Sequence, residues 1–332
     1  MGSPFRFLPT TTFGGRTFAM SASGARATAT PVRRSAAGGW RGWRSPWLVP
    51  LPGFVLLAML TLPPFLYSAY LSFVNIDVSV PLLPMRFVWL DNYARVLTTN
   101  DGLHAVMISL IISFGSTFFA VIMGLVIAYL IHLFAGKLAG LIVVLVLVPL
   151  AVSPVAMALV FSLILDPLYG PIPQLIEMLT GELIAPTGNA TGALMTVMFV
   201  QTWQWSPLAV LLLLGGITSL PKEPVEAAEI DGAGLWGMIW HVHLPLLRPL
   251  LAVTGIFEFI LCSQVFAATD LLTNGGPGNA TVDLSLFIYK IGISESGQVS
   301  VAAAAGVITL ILGLVSTAVW LKVAKWDTQI YR

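Results

Sequence analysis

Six long apolar runs constrain this chain more than any other feature, falling at about 47–73, 105–133, 138–165, 191–219, 249–269 and 300–321. A helix rises 1.5 Å per residue, so about 20 apolar residues match the ~30 Å hydrocarbon core of a bilayer. The runs are continuous and do not alternate, which argues against a membrane β-barrel. Composition agrees: 57% of the residues are apolar and 9% charged, against about a quarter charged in soluble domains. So little charge cannot cover a water-facing surface, and an all-α membrane protein with six transmembrane helices is expected. Pro63, Pro64, Pro149, Pro154 and Pro207 fall inside the runs. Such kinks persist in lipid where neighbouring helices or water satisfy the freed carbonyls, a pattern that suits a bundle lining a pathway.

The chain divides into a basic tail at 1–45, a six-helix domain at 46–327 and a short C-terminal tail at 328–332. The first 45 residues hold seven arginines and no acid, and their low hydrophobicity and small residues predict disorder. A cytoplasmic tail is the favoured reading over an organellar transit peptide, with Met20 as an alternative start. With the N-terminus inside, Lys137, Lys222, Arg248, Lys322, Lys325 and Arg332 join the tail arginines on one side, and only Arg86, Arg95 and Lys290 fall on the other. The positive-inside rule therefore predicts a multi-pass protein with both termini cytoplasmic. The outer loops are about 74–104, 166–190 and 270–299, the last holding the turn-forming run Thr273-Asn274-Gly275-Gly276-Pro277-Gly278. A net charge of +1 implies no nucleic-acid partner, and the single cysteine, Cys262, excludes an internal disulfide or a cysteine-built metal site.

The loop between the fourth and fifth spans, 221–247, carries the strongest chemical pattern. Glu223, Glu226, Glu229 and Asp231 lie within nine positions. Pro224 is placed to open a helix, its early acids favour the helix dipole, and three-residue spacing puts the glutamates on roughly one face. Ala227 and Ala228 beside them let another surface approach the backbone. Gly232 and Gly234 end this helix. A second is expected over 235–242, ending at Leu244-Pro245, with Pro249 opening the fifth span. An amphipathic helix resting on headgroups is the bland alternative, but such helices carry Lys and Arg on the polar face. An acidic face asks for a basic protein surface.

Glu226-Ala227-Ala228, then Gly232 after three residues, then Val242-His243-Leu244-Pro245 after nine more, resembles the EAA motif of permease subunits in binding-protein-dependent ABC importers. Val242 stands where the family usually has isoleucine, and Asp231-Gly232-Ala233 is similar to the usual continuation. Phe87-Val88-Trp89-Leu90-Asp91-Asn92-Tyr93 and Leu272-Thr273-Asn274-Gly275-Gly276-Pro277 also look like family loops, the second most like the first permease type of carbohydrate importers. The resemblance covers roughly 47–327. It implies the type I importer permease fold and a coupling helix in which Glu226 pairs with a basic ATPase residue. Ala227 and Ala228 would allow close seating, Asp231 and Gly232 the turn, and Leu244 and Pro245 a brace against the bundle. It also implies four kinds of partner: a second permease, two ATPase subunits, an extracytoplasmic solute-binding protein and membrane lipid. ATP and magnesium would bind the ATPase, leaving this chain without a cofactor. A sugar, oligosaccharide, polyol or glycerol-phosphate is the implied solute.

No phosphate-binding G-x-x-x-x-G-K-[ST] motif occurs, so hydrolysis by that route is not this chain's own. Polar groups within spans mark pathway positions, because each is costly in hydrocarbon unless it faces protein or water. Trp203, Gln204, Glu258, Cys262 and Gln264 are the candidates, offering rings and hydrogen-bonding groups to a sugar. The bland alternatives are interface anchoring for the tryptophan, bonds to a neighbouring helix for the glutamines Gln201 and Gln204, a buried pair for Glu258 and a small buried hydrophobe for Cys262. A self-contained secondary transporter or channel is the rival function; it would normally carry several ionisable groups, and here only Glu258 lies deep in a span.

Overall fold

In a computed structural model, residues 50–76 and 85–327 are described, with side chains through 322. The predicted tails at 1–45 and 328–332 lie outside the described residues. The chain divides into two units, Met1–Ala58 and Met59–Arg332. The boundary between them lies in helix α1 (Leu51–Leu71), which holds Pro63 and Pro64 and leaves none of its residues buried.

The second unit continues with an antiparallel pair of two-residue strands, β1 (Val74–Asn75) and β2 (Arg86–Phe87), then α2 (Asp91–Thr98). Buried Asn92 donates to the carbonyls of Ser72 and Val74 at 2.9 and 2.8 Å, and Ser72 Oγ and Tyr93 OH share a hydrogen bond of 2.7 Å. These bonds give the β1 backbone partners that a lone hairpin would lack.

Helix α3 (Asn100–Phe134) is a 35-residue span begun by Thr99, whose hydroxyl accepts from the Gly102 amide. The run expected as a straight third span is instead broken into α4 (Ala139–Val146), α5 (Val148–Ala151) and α6 (Pro154–Ile164), with a 93° bend between the halves. The cause is local. Proline forces its predecessor out of the helical region, and Val152 and Ser153 both take extended conformations before Pro154. Ser153 Oγ then accepts from the Ala156 amide at 3.3 Å and starts the second half. Among the described residues, five continuous helices are long and apolar enough to cross a bilayer, and the bent pair, taken as one span, makes the sixth.

After α7 (Pro171–Thr180), Asn189 caps α8 (Ala190–Thr218), accepting from the Gly192 amide at 2.8 Å. The loop then gives α9 (Lys222–Ile230) and α10 (Leu235–Met238). A π-type turn over Ile239–His243 runs directly into α11 (Leu244–Cys262). Two expectations are thereby corrected: Leu244-Pro245 does not end the second helix, and Pro249 lies inside α11. The residues at 263–269 assigned to the fifth span fall beyond α11 and partly in α12 (Phe266–Leu271). Helices α13 (Leu284–Tyr289) and α14 (Val299–Asp327) complete the chain.

The core is the packing of α3 on α8, with α11 against both and α14 against α11. Small residues set the crossings, as they do where helices have no hydrophobic drive to associate. A Cβ on Gly124 of α3 would overlap Ala209 of α8, and one on Gly255 of α11 would come within 2.8 Å of the Trp320 ring on α14. At the end of the bundle remote from α9, Val96, Val106, Leu284, Leu286 and Val301 form a separate apolar cluster. Beside it, Asp283 caps α13: its carboxylate accepts from the Ser285 and Leu286 amides and from Thr269 Oγ1 at 2.8 Å. Burial pushes this carboxyl above its ordinary range, and the donors pull it back only in part.

Gly124→Val should weaken the α3–α8 crossing by about 1–3 kcal/mol, the usual cost of overpacking. Gly140→Val, at a position with open space around it, should leave stability unchanged. Thermal unfolding of both variants in one detergent checks the contrast.

Candidate functional site

Helix α9 is held by its ends. Pro221 precedes it without a side-chain cap, Glu223 sits in its first turn, and Asp231 closes it. Gly232 follows at φ 77°, the left-handed conformation that glycine adopts without strain. The Ala233 amide bonds back to the Ala228 carbonyl at 2.9 Å, so the chain reverses tightly into α10. The expected turn at Gly232 is therefore present. The helix begins at Lys222, two residues earlier than Pro224 predicted.

No residue of α9 is buried. Glu223, Glu226, Ala227, Glu229 and Asp231 are exposed, and Ile230 is 86% exposed. Among the described residues, none of these acids forms an ion pair. Val225 and Ala228 are half-buried, and Val225 faces the bundle across a cavity. Leu244 and Pro245 are half-buried at the start of α11, next to buried Leu247. Between α9 and the bundle lies a cavity of about 640 Å³, lined by Tyr129, His132, Lys222, Glu226, Glu229 and His243 among others.

The pathway candidates occupy a different region, along α8 and α11. Glu258 is fully buried, near the backbone amide of Ala209, and neither carboxyl oxygen has a hydrogen bond of normal geometry. Cys262, one turn away, is fully buried beside Thr117. Gln204 is also fully buried. Its amide nitrogen donates to the carbonyl of Val152 at 3.1 Å, while its Oε1 has no partner. Val152 is where the third span breaks, so Gln204 satisfies a carbonyl that the bend released. Gln201 reaches the carbonyls of Cys262 and Gln264 at 3.4 and 3.5 Å, joining α8 to the end of α11. Trp203 is half-buried with its ring edge-on to Phe161, centroids 5.3 Å apart. Gln264 is exposed.

The structure thus brings Gln201, Cys262 and the Gln264 backbone together and puts Glu258 in the same seam. Trp203 and Gln204 face the bent third span. Trp205 Nε1 and Thr254 Oγ1 are further buried polar atoms without partners. Sequence reasoning missed Tyr129 and His243, which meet across 114 positions; no local pattern marks such a pair. Among the described residues there is no cluster of His, Cys, Asp and Glu that could hold a metal ion.

A buried carboxyl with no well-formed hydrogen bond to the protein is costly to fold. Glu258→Met should raise the thermal stability of the solubilised protein, by about 1–3 kcal/mol. Unchanged or lowered stability would mean that Glu258 has compensating contacts.

With this geometry in hand, the model of the family described as binding-protein-dependent transport system inner membrane component matches residues 120–324. The trehalose/maltose transport system permease protein MalF of Thermococcus litoralis is 29% identical over 84% of this chain and 93% of its own length. A probable ABC transporter permease protein of Sinorhizobium fredii, y4oQ, is 30% identical over 73% of this chain and 78% of its own. The diacetylchitobiose uptake system permease protein DasB of Streptomyces coelicolor is 26% identical over 88% and 93%. Among solved structures, a chain of a bacterial alginate ABC transporter, in complex with an alginate pentasaccharide-bound periplasmic protein, superposes with a TM-score of 0.68. It is 18% identical and covers 86% of this chain and 93% of that one, a likeness of fold.

Proposed function

Because the chain belongs to the binding-protein-dependent transport system inner membrane components, we propose that it is the sugar-conducting permease of an ATP-driven importer, worked through α9 by a separate ATPase. It is a multi-pass membrane transport subunit rather than an enzyme. The rival of a self-contained secondary transporter loses its footing once the family is established.

One observation carries the docking reading. Helix α9 presents Glu226, Ala227 and Ala228 at the end of the bundle, with its acids unpaired and its turn fixed by Gly232. A basic cleft on the ATPase would pair with Glu226, and the two alanines would let it close on the backbone. Leu244 and Pro245 would tie the loop to α11. This end of the bundle would face the cytosol, with both termini there, as the distribution of Lys and Arg favours. The full importer would hold a second permease, two ATPase subunits that bind ATP and magnesium, and a solute-binding protein outside.

The names of the relatives support a carbohydrate as the solute: one is a trehalose/maltose permease and another belongs to a diacetylchitobiose system. Trp203, Gln204, Glu258, Cys262 and Gln264 remain the proposed pathway groups. Glu258 and Gln204 Oε1 are the buried groups among them with hydrogen-bonding capacity to spare.

A charge-assisted docking contact is worth about 1.5–3 kcal/mol, or roughly a 10- to 150-fold change in occupancy. Glu226→Ala removes that contact and should cut uptake of radiolabelled maltose or trehalose by a factor in that range, and Gly232→Asp, which places a side chain in the left-handed turn, should abolish uptake while membrane insertion persists. A photo-cross-linker at Ala228 should capture a nucleotide-hydrolysing protein. Capture of lipid alone, with normal uptake by the Gly232→Asp variant, would overturn the docking assignment.

A further inference from the structure

The cavity beneath α9 poses a mechanical question. A helix with no fully buried residue, set off from α3 by a cavity of about 640 Å³, has few packed side chains with which to push on the bundle. Within the chain its contacts run chiefly to α10 and to the π-type turn at Ile239–His243. Displacement of α9 therefore reaches the membrane spans at two places, the three-residue link 219–221 to α8 and that turn. A π-turn holds one residue more than an α-helical turn, and such turns recur at functional positions because they rotate the side chains that follow them.

His243 is the last residue of the turn and is buried. Its Nδ1 shares a hydrogen bond of 3.1 Å with the hydroxyl of Tyr129 on α3. The two rings stack with centroids 5.8 Å apart and planes within 10°. Tyr129 in turn belongs to the apolar cluster of Ala128, Leu213, Ile217 and Leu247, which joins α3, α8 and α11. The pair is both stacked and hydrogen-bonded in a poorly solvated place, where a polar contact is strongest and the loss of one partner is most costly. His132 on α3 and Lys222, Glu226 and Glu229 on α9 are the other charged or titratable groups around the same cavity.

The geometry points to Tyr129 and His243 as a positioning pair that carries movement of α9 into α3. The inference rests on α9 being the docking helix. It adds the route by which force from the docked motor enters the spans, at residues outside the Glu-Ala-Ala, Gly and Leu-Pro positions already assigned.

The test uses the complete importer, purified with its ATPase and reconstituted in lipid nanodiscs. Nitroxides at Leu103 on α3 and Leu310 on α14, both exposed, report the distance between the spans. That distance is read without nucleotide and after trapping with ATP, magnesium and orthovanadate. In the parent the distance should change on trapping. Tyr129→Phe keeps the ring and loses only the hydroxyl; it should reduce the change by roughly half or more, as should His243→Leu. The double variant should fall no further than either single one, the sign of a shared interaction. His243→Gln supplies an amide oxygen to the tyrosine hydroxyl and should restore the movement, which a packing role alone would not do. A full distance change in Tyr129→Phe, or none in the parent, overturns the inference while cross-linking from Ala228 to the ATPase still upholds docking. Loss of that cross-link in the parent overturns docking itself.

Discussion

Every backbone amide and carbonyl that enters hydrocarbon must find its partner within the protein, and the architecture of this chain follows from that demand. Continuous helices meet it without help, which is why α3, α8, α11 and α14 run long and regular. Where regularity fails in mid-span, a side chain has to intervene. At the bend in the third span, Ser153 takes one freed amide and Gln204, reaching across from α8, takes the Val152 carbonyl. One glutamine thereby fixes a 93° change of direction to the helix that forms the centre of the core.

The same demand separates what the sequence makes legible from what it hides. Hydropathy alone marks the six apolar segments, because length and absence of charge are properties of each segment by itself. The left-handed turn after α9 is equally local: glycine at 232, following acids at helical spacing, needs no tertiary information. The bend at Pro154 was visible only as a proline within an apolar run. Whether such a proline kinks a helix or ends it depends on a capping serine and on a glutamine 52 positions beyond Val152. The helix ends near Leu244 and Pro249 were misjudged for a related reason. Helical backbone runs unbroken from Leu235 through the π-type turn to Cys262, so Leu244-Pro245 lies within a continuous span instead of closing α10.

The pathway residues show a sharper limit. Sequence reading selects Trp203, Gln204, Glu258, Cys262 and Gln264 because polar groups in lipid need an explanation. It cannot say which explanation applies, since that depends on what the other helices bring. Gln204 turns out to have a structural duty and Glu258 an unmet one. The second state is the more informative, because a folded core seldom leaves a carboxyl without company. The pairing of Tyr129 with His243 carried no signal, although His243 lies within the motif: an aromatic residue in one span and a histidine 114 positions on become a pair only when the helices pack.

Helix α9 lends no side chain to the interior. Its surface is thereby released from the rule that governs the rest of the bundle, where each contact fixes its neighbour. Mutations on it are screened by fit to whatever lies outside, so its exposed face can drift with a changing partner while the spans stay as they are. On the proposed docking, a permease built this way would exchange one engine for another by altering a few residues on one projecting helix, with the spans behind it left as they are.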